Sequence, residues 1–322
     1  MLPKVTIQGT GLSVSALCYG TNQFGTAIAQ GQAHELLDDF TTRGGNFIDT
    51  ARSYGDWVPE APKGASERTI GSWLKRRSRQ DVVIATKGGH VDMRSGSWAP
   101  RVNPQAIAAD LTESLEHLQI DCIDLYWLHA DDPGQDVGPL MDALIGHQQA
   151  GRIRYFGASN WTAARITAAQ AYAKSVGHPG FVAVQPFWGL AVPNVQAAAA
   201  QGYGHYYDDG LERLHAQGLP MIPYAGQSRG FFSKLATAGE GGLPEHLAKM
   251  YLNDINRQRA KAVNAVAARR GVSVNEVVLA YLVNQPNPTI PIFGAFRHEQ
   301  LVESLKAADL KLTTQELQQL RG

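Results

Sequence analysis

Short apolar runs alternate with longer amphipathic stretches along most of the chain. The runs are residues 16–19, 47–49, 82–86, 123–128, 153–158, 182–184, 219–223 and 289–293. Most are too short for helices and rich in Val, Ile and aromatic residues, so they read as buried strands. Between most of them apolar residues recur at helical spacing. One helix opens at Asn103-Pro104, an N-cap followed by proline at the first helical position, and carries Ile107, Leu111, Leu115 and Leu118 on one face. A second carries Val137, Leu140, Met141, Leu144 and Ile145, and a third opens at the capping box Ser273-x-x-Glu276.

Eight strands with helices between them predict an α/β fold, a closed parallel (β/α)8 barrel of the TIM type, with residues 1–322 forming a single barrel domain. Residues 5–7 and 13–16, on either side of Gly9-Thr10-Gly11, predict an N-terminal β-hairpin capping the barrel floor. An open doubly wound sheet is the alternative. It would normally carry G-x-G-x-x-G after its first strand, and the chain has neither that motif nor a Walker A loop. Residues 194–209 and 226–253 are expected to be long loops.

Composition narrows the function classes. Lys plus Arg and Asp plus Glu each number 29, so no nucleic-acid or membrane surface is expected from bulk electrostatics. Cys18 and Cys122 are too few for a disulfide framework or a zinc cluster, which points to a reducing, cytoplasmic setting without a metal. The first 19 residues lack the apolar core of a signal peptide, and no window reaches the apolar length of a membrane span.

In a barrel, side chains just past the carboxyl ends of the strands converge on one site. The residues there are Gly20-Thr21, Asp49, Lys87, His129, Ser159-Asn160, Gln185, Tyr224 and Gly294. Singly, each has a plain reading. Asp49 caps a turn, Lys87 is solvated, His129 is one histidine among ten, and Ser159-Asn160 opens the helix near Thr162. Together on successive strands they assemble a catalyst. Tyr54 lies five residues beyond Asp49, in a loop that folds back over the mouth. A free phenol, with a pKa of about 10, is a poor acid near neutrality. A neighbouring Lys87 ammonium is expected to lower that pKa, with Asp49 holding the ammonium in place. His129 is expected to orient a carbonyl oxygen toward Tyr54. The hydride for such a reduction must come from a cofactor, since no side chain donates one.

These residues sit in motifs that resemble the aldo-keto reductase family. Asp49-Thr50-Ala51-Arg52-Ser53-Tyr54-Gly55 is similar to its D-T-A-x-x-Y-G signature, and Gly64-Ala65-Ser66-Glu67 closing at Gly71 is similar to its G-x-S-E-x-x-x-G segment. Lys87 and Leu128-His129 follow the third and fourth strands, and Gly151-Arg152-Ile153-Arg154-Tyr155-Phe156-Gly157-Ala158-Ser159-Asn160 resembles G-K-I-R-x-x-G-x-S-N. The resemblance runs through almost the whole chain. It implies reduction of an aldehyde or ketone, a sugar or other polar carbonyl included, with the tetrad Asp49, Tyr54, Lys87 and His129. It also implies that Ser159, Asn160 and Gln185 grip a nicotinamide carboxamide, with Tyr224 stacked on the ring. Gly20, Thr21, Gly226, Gly230, Gly294, Arg297, Gln300 and Ser304 complete the expected cofactor contacts. NADPH is the expected cofactor, with NADH as the alternative. Two departures bear on that choice: Tyr224-Ala225-Gly226-Gln227 replaces the usual Y-S-P-L, and Ser304 stands where an Asn usually contacts the adenine.

Substrate specificity is expected in loops near Trp57, residues 93–98 including Trp98, Trp188 and residues 226–253. Two rival functions remain. Gly226-Gln227-Ser228-Arg229-Gly230 matches the G-x-S-x-G elbow of serine hydrolases, with Asp254 and His298 following in the required order. An elbow needs a helix directly after it, whereas residues 231–242 soon turn glycine-rich. The other rival is a weakly catalytic, nicotinamide-binding, redox-sensing subunit.

Overall fold

The computed structural model describes residues 1–322. Its strands are β1 (Lys4–Thr6), β2 (Ser13–Ser15), β3 (Cys18–Gly20), β4 (Phe47–Asp49), β5 (Val83–Gly88), β6 (Ile123–Leu128), β7 (Ile153–Ser159), β8 (Val184–Gln185) and β9 (Ile292–Phe293). Strands β3 to β9 pair in parallel in the order β8-β7-β6-β5-β4-β3-β9. The seventh apolar run closes this sheet into a barrel without forming a regular strand. Val184 N–H donates to Pro220 O and Ile222 N–H to Val184 O on one side, while Met221 N–H donates to Pro288 O and Ile292 N–H to Pro223 O on the other. Proline has no N–H, so Pro220, Pro223, Pro288 and Pro291 break what would be a continuous ladder into isolated bridges.

The predicted hairpin forms from β1 and β2, with Gly9 at φ 75 in the connecting turn. Ile7, Leu12 and Val14 point into the barrel and join Phe47, Leu125, Trp127 and Ile222 in one buried cluster, which plugs the floor. Helices cover the outside. Asn103 caps Pro104–Leu118 by accepting from Ala106 N–H at 2.9 Å, and Ile107, Leu111 and Leu118 face the barrel. Ser273 accepts from Glu276 N–H at 3.1 Å. The complete reciprocal box is at the last helix instead, where Glu316 also reaches back to Thr313 N–H.

Both expected long loops contain helices. Val195–Ala200 lies in the first, and Phe231–Ala238 and Glu245–Tyr251 lie in the second. The second pair folds because it has its own apolar contacts: Phe231 packs against Phe232 and Tyr251, with ring centroids 5.1 and 5.5 Å away. Gly239, at φ 65, ends the first of them.

Candidate active site

The parallel register sets the site. Asp49 ends β4 opposite Ala85, so Lys87 in β5 stands just beyond it, and His129 N–H donates to Gly88 O at 2.8 Å as the chain leaves β6. Beyond β4 the chain hugs β5, with Thr50 N–H donating to Ala85 O and Arg52 N–H to Lys87 O. A turn then brings Tyr54 back over the barrel mouth. Gly55 follows it at φ 99, and a Cβ there would come within 2.9 Å of Ala65 Cβ, so the position requires glycine.

The G-x-S-E segment supports this turn. Ser66 Oγ lies 2.9 Å from both Thr21 Oγ1 and Thr50 Oγ1, tying the ends of β3 and β4 together. Buried Glu67 accepts from Thr86 Oγ1 at 2.6 Å and pairs with His117 Nδ1 at 3.0 Å. The motif therefore holds the turn that carries Tyr54 from behind.

Lys87 is buried and surrounded by three oxygen acceptors. Its Nζ donates to Asp49 Oδ2, to Thr50 O at 2.7 Å and to Tyr54 Oη at 3.0 Å. Three acceptors match the three protons of an ammonium. Tyr54 oxygen accepts from Lys87, so its own proton remains available to another acceptor. Burial alone drives Lys87 toward neutrality, but Asp49 and Tyr54 outweigh it and raise the pKa above the ordinary lysine value. Tyr54 departs from the sequence expectation. Burial pushes its pKa up, Lys87 opposes the rise, and the net direction is upward. Tyr54 thus stays protonated at neutral pH, which is the state a proton donor needs. Burial, His90, Lys87 and Arg52 hold His129 well below the usual histidine value, so it is a neutral imidazole.

Ser159, Asn160, Gln185 and Tyr224 gather beside these groups, but protein partners engage much of their polar surface. Ser159 Oγ donates to Gln185 O at 2.9 Å. Asn160, at φ 63, donates to His129 O at 2.9 Å and accepts from Tyr224 Oη at 2.6 Å. Gln185 Nε2 donates to Asp49 Oδ1 at 2.9 Å, leaving Oε1 without a protein partner. The Tyr224 ring stacks on Phe187, with centroids 5.5 Å apart.

A cleft of about 680 Å³ runs away from Tyr54 across the mouth. Gly20, Thr21, Tyr224, Gly226, Gly230, Gly294, Gln300 and Ser304 line it as expected, whereas exposed Arg297 lies outside the lining. Sequence reasoning missed Arg229, Lys234, Asn275 and Gln227, all of which line it. Ala225, Ser228, Arg229 and Gly230 all have positive φ, and three of these are not glycine, the kind of strain that clusters at binding loops. Two cations beside glycines after a strand were the available signal. Gln227 accepts from Gly294 N–H at 2.8 Å and donates to Asn275 Oδ1 and Ser304 Oγ, so these amides and hydroxyl form one polar wall.

Of the three tryptophans expected near substrate, Trp57 sits edge-on to Tyr54 with centroids 6.1 Å apart and is 43% exposed, and Trp98 is 76% exposed. Trp188 is a correction. It is 5% exposed, stacks on Tyr207 at 4.0 Å and does not line the cleft. The hydrolase constellation does not assemble. The helix Phe231–Ala238 does follow the elbow, but Ser228 Oγ is buried without a partner, His298 pairs with Asp39 at 2.8 Å, and Asp254 pairs with Arg257 at 2.9 Å.

A profile of the Aldo/keto reductase family matches residues 16–322. The chain belongs to this family. Among relatives of this aldo/keto reductase, norsolorinic acid reductase B of Aspergillus parasiticus is 28% identical over 95% of the chain and 80% of the relative. An aryl-alcohol dehydrogenase of Pestalotiopsis microspora is 28% identical over 98% of the chain and 80% of the relative. The fold matches a thermostable aldo-keto reductase solved with the inhibitor epalrestat, with a TM-score of 0.74, 23% identity and 99% of both chains covered. The protein is thus an oxidoreductase with a (β/α)8 barrel, from a family that generally uses nicotinamide cofactors. No helix is long and apolar enough to cross a membrane.

Proposed function

We propose that the protein reduces an aldehyde or ketone to an alcohol with NADPH, with Tyr54 as the proton donor. The observation that carries this reading is the line Asp49–Lys87–Tyr54, buried at Asp49 and Lys87 and open to the cleft at Tyr54, in which Lys87 donates to a phenol whose own proton is free. The residues present suit an extended dinucleotide. Arg229 and Lys234 offer charge for a pyrophosphate, the wall of Gln227, Asn275 and Ser304 offers hydrogen bonds for an adenosine, and Gln185 Oε1 is an unpartnered acceptor beside the tetrad. Arg297 is the residue for a ribose 2′-phosphate. When bound, a reduced nicotinamide supplies hydride to the carbonyl carbon. Tyr54 hydrogen-bonds the carbonyl oxygen and gives it a proton as negative charge builds there. Neutral His129 donates a second hydrogen bond to the same oxygen. Lys87 stabilises the phenolate left behind, and Asp49 fixes Lys87.

Tyr54→Phe tests the reading. The variant should lose about 10²–10⁴-fold in kcat for carbonyl reduction and keep cofactor affinity nearly intact. Near-normal turnover sinks the assignment.

A further inference from the structure

Tyr54 stands at a boundary. It lines the long cleft at one end, whereas His129, His90 and Trp57 do not line that cleft at all. The His129 and Trp57 rings nonetheless lie 6.0 and 6.1 Å from the Tyr54 ring, and the His90 ring lies 4.6 Å from that of His129. These three rings therefore form a second wall beside the proton donor, away from the dinucleotide cleft.

His90 is held in place on this wall. Arg101 Nη1 donates to His90 O at 3.0 Å, and buried Asp110 grips Arg101 at 2.6 Å and Gly89 N–H at 2.8 Å. The ring is oriented as well. Its Nδ1 lies 3.2 Å from Val91 O, and a carbonyl oxygen only accepts, so Nδ1 carries the proton. Burial lowers the ring's pKa, Arg52 adds to that, and the pull of Val91 O, Asp110 and Asp56 does not reverse it, so the ring is neutral at pH 7. A neutral ring with its proton on Nδ1 leaves Nε2 as a lone-pair acceptor. That atom has no protein partner and is not enclosed.

An acceptor cannot serve a carbonyl oxygen, which has no proton to give. It serves a hydroxyl, and the close approach of the two imidazoles suits oxygens on neighbouring carbons: the carbonyl oxygen on His129, the hydroxyl on His90. We propose that His90 is a substrate-binding residue whose Nε2 accepts a hydrogen bond from a hydroxyl next to the carbonyl, which makes hydroxyaldehydes and hydroxyketones, small sugars among them, the preferred substrate class. The inference rests on the carbonyl-reductase reading. The exposed rings of Trp57 and Trp98 fit it, since a sugar presents C–H faces that stack on aromatic rings.

The test compares DL-glyceraldehyde with propanal, which has the same carbon chain without hydroxyls. Wild type, His90→Leu and His90→Gln are assayed for kcat/KM on both. Wild type should favour glyceraldehyde. His90→Leu should lose about 3- to 10-fold on glyceraldehyde, mainly in KM, and change by less than about twofold on propanal. His90→Gln keeps a side-chain acceptor and should recover part of the loss. An equal loss on both aldehydes overturns the proposal, because His90 then acts through His129 or Tyr54. No loss on either also overturns it, as does a wild type that turns over propanal without favouring glyceraldehyde. A wild type inactive on both aldehydes, with either dinucleotide, overturns the reductase reading together with this one.

Discussion

Gln185 donates a 2.9 Å hydrogen bond to Asp49 Oδ1, the carboxylate oxygen that Lys87 leaves free. Burial raises the pKa of Asp49, and Lys87 and Gln185 both work against that rise. Gln185 therefore helps keep the carboxylate charged and aimed at Lys87. Gln185→Met removes the donor at similar size. It should lower kcat about 10-fold and destabilise the fold by about 1–2 kcal/mol, because Oδ1 is left buried without a partner. Steady-state kinetics, a melting curve and a cofactor titration check this. A rise in cofactor Kd with kcat unchanged would show that Gln185 serves the cofactor alone.

In the proposed mechanism Lys87 governs the alkaline limb of the reaction. Reduction needs the protonated phenol, so the rate falls as pH rises through the Tyr54 pKa. Burial places that pKa above the ordinary tyrosine value and Lys87 restrains it. Lys87→Met should therefore move the alkaline limb to higher pH. It should also cost about 10²–10³-fold in kcat, since the phenolate loses its stabilising charge. Asp49 raises the Tyr54 pKa, so Asp49→Asn should move the limb the other way, to lower pH, and should cost less in kcat because Asp49 acts through Lys87. A pH–rate profile unchanged in both variants rules the arrangement out.

Arg297 is the test of cofactor choice. It is exposed at the N-cap of the helix His298–Lys306, next to Phe296 on the cleft wall. An exposed arginine gives modest selectivity, so Arg297→Ala should lose about 10-fold in NADPH affinity and little in NADH affinity. Dissociation constants for both cofactors decide it. Equal losses, or none, remove Arg297 from the 2′-phosphate, and tighter NADH binding by wild type removes the NADPH preference.

Asp49, Lys87 and His129 of the proposed tetrad were legible because they stand at strand ends, which apolar patterning locates well, and Tyr54 because of the motif that follows Asp49. Parallel register then brings Asp49, Lys87 and His129 together without further information. The direction of the Tyr54 shift was not legible. It depends on burial, which competes with Lys87 and is set by packing around the turn. Trp188 was misplaced for a related reason: Tyr207, distant in sequence, decides which way that ring faces. Glycines at 239, 241 and 242 hid the two helices flanking them, although the buried Phe231 and Tyr251 that justify those helices are present in the sequence. With the first of those helices hidden, Lys234 was overlooked as a cleft residue.

The proline-interrupted closure gives the barrel a seam. Around β5 and β6 the ladder is regular, and an opening there would have to break several bonds at once. At Pro220 and Pro223 the wall is stitched at intervals, and Tyr224 and the strained loop after it hang from that stitching. Local opening of the cylinder is therefore expected to cost least on the side of Tyr224 and the loop after it, away from Asp49, Lys87 and His129. Proline placement thus sets where the cylinder is most weakly closed, on the side of the cleft rather than that of the Asp49–Lys87 pair.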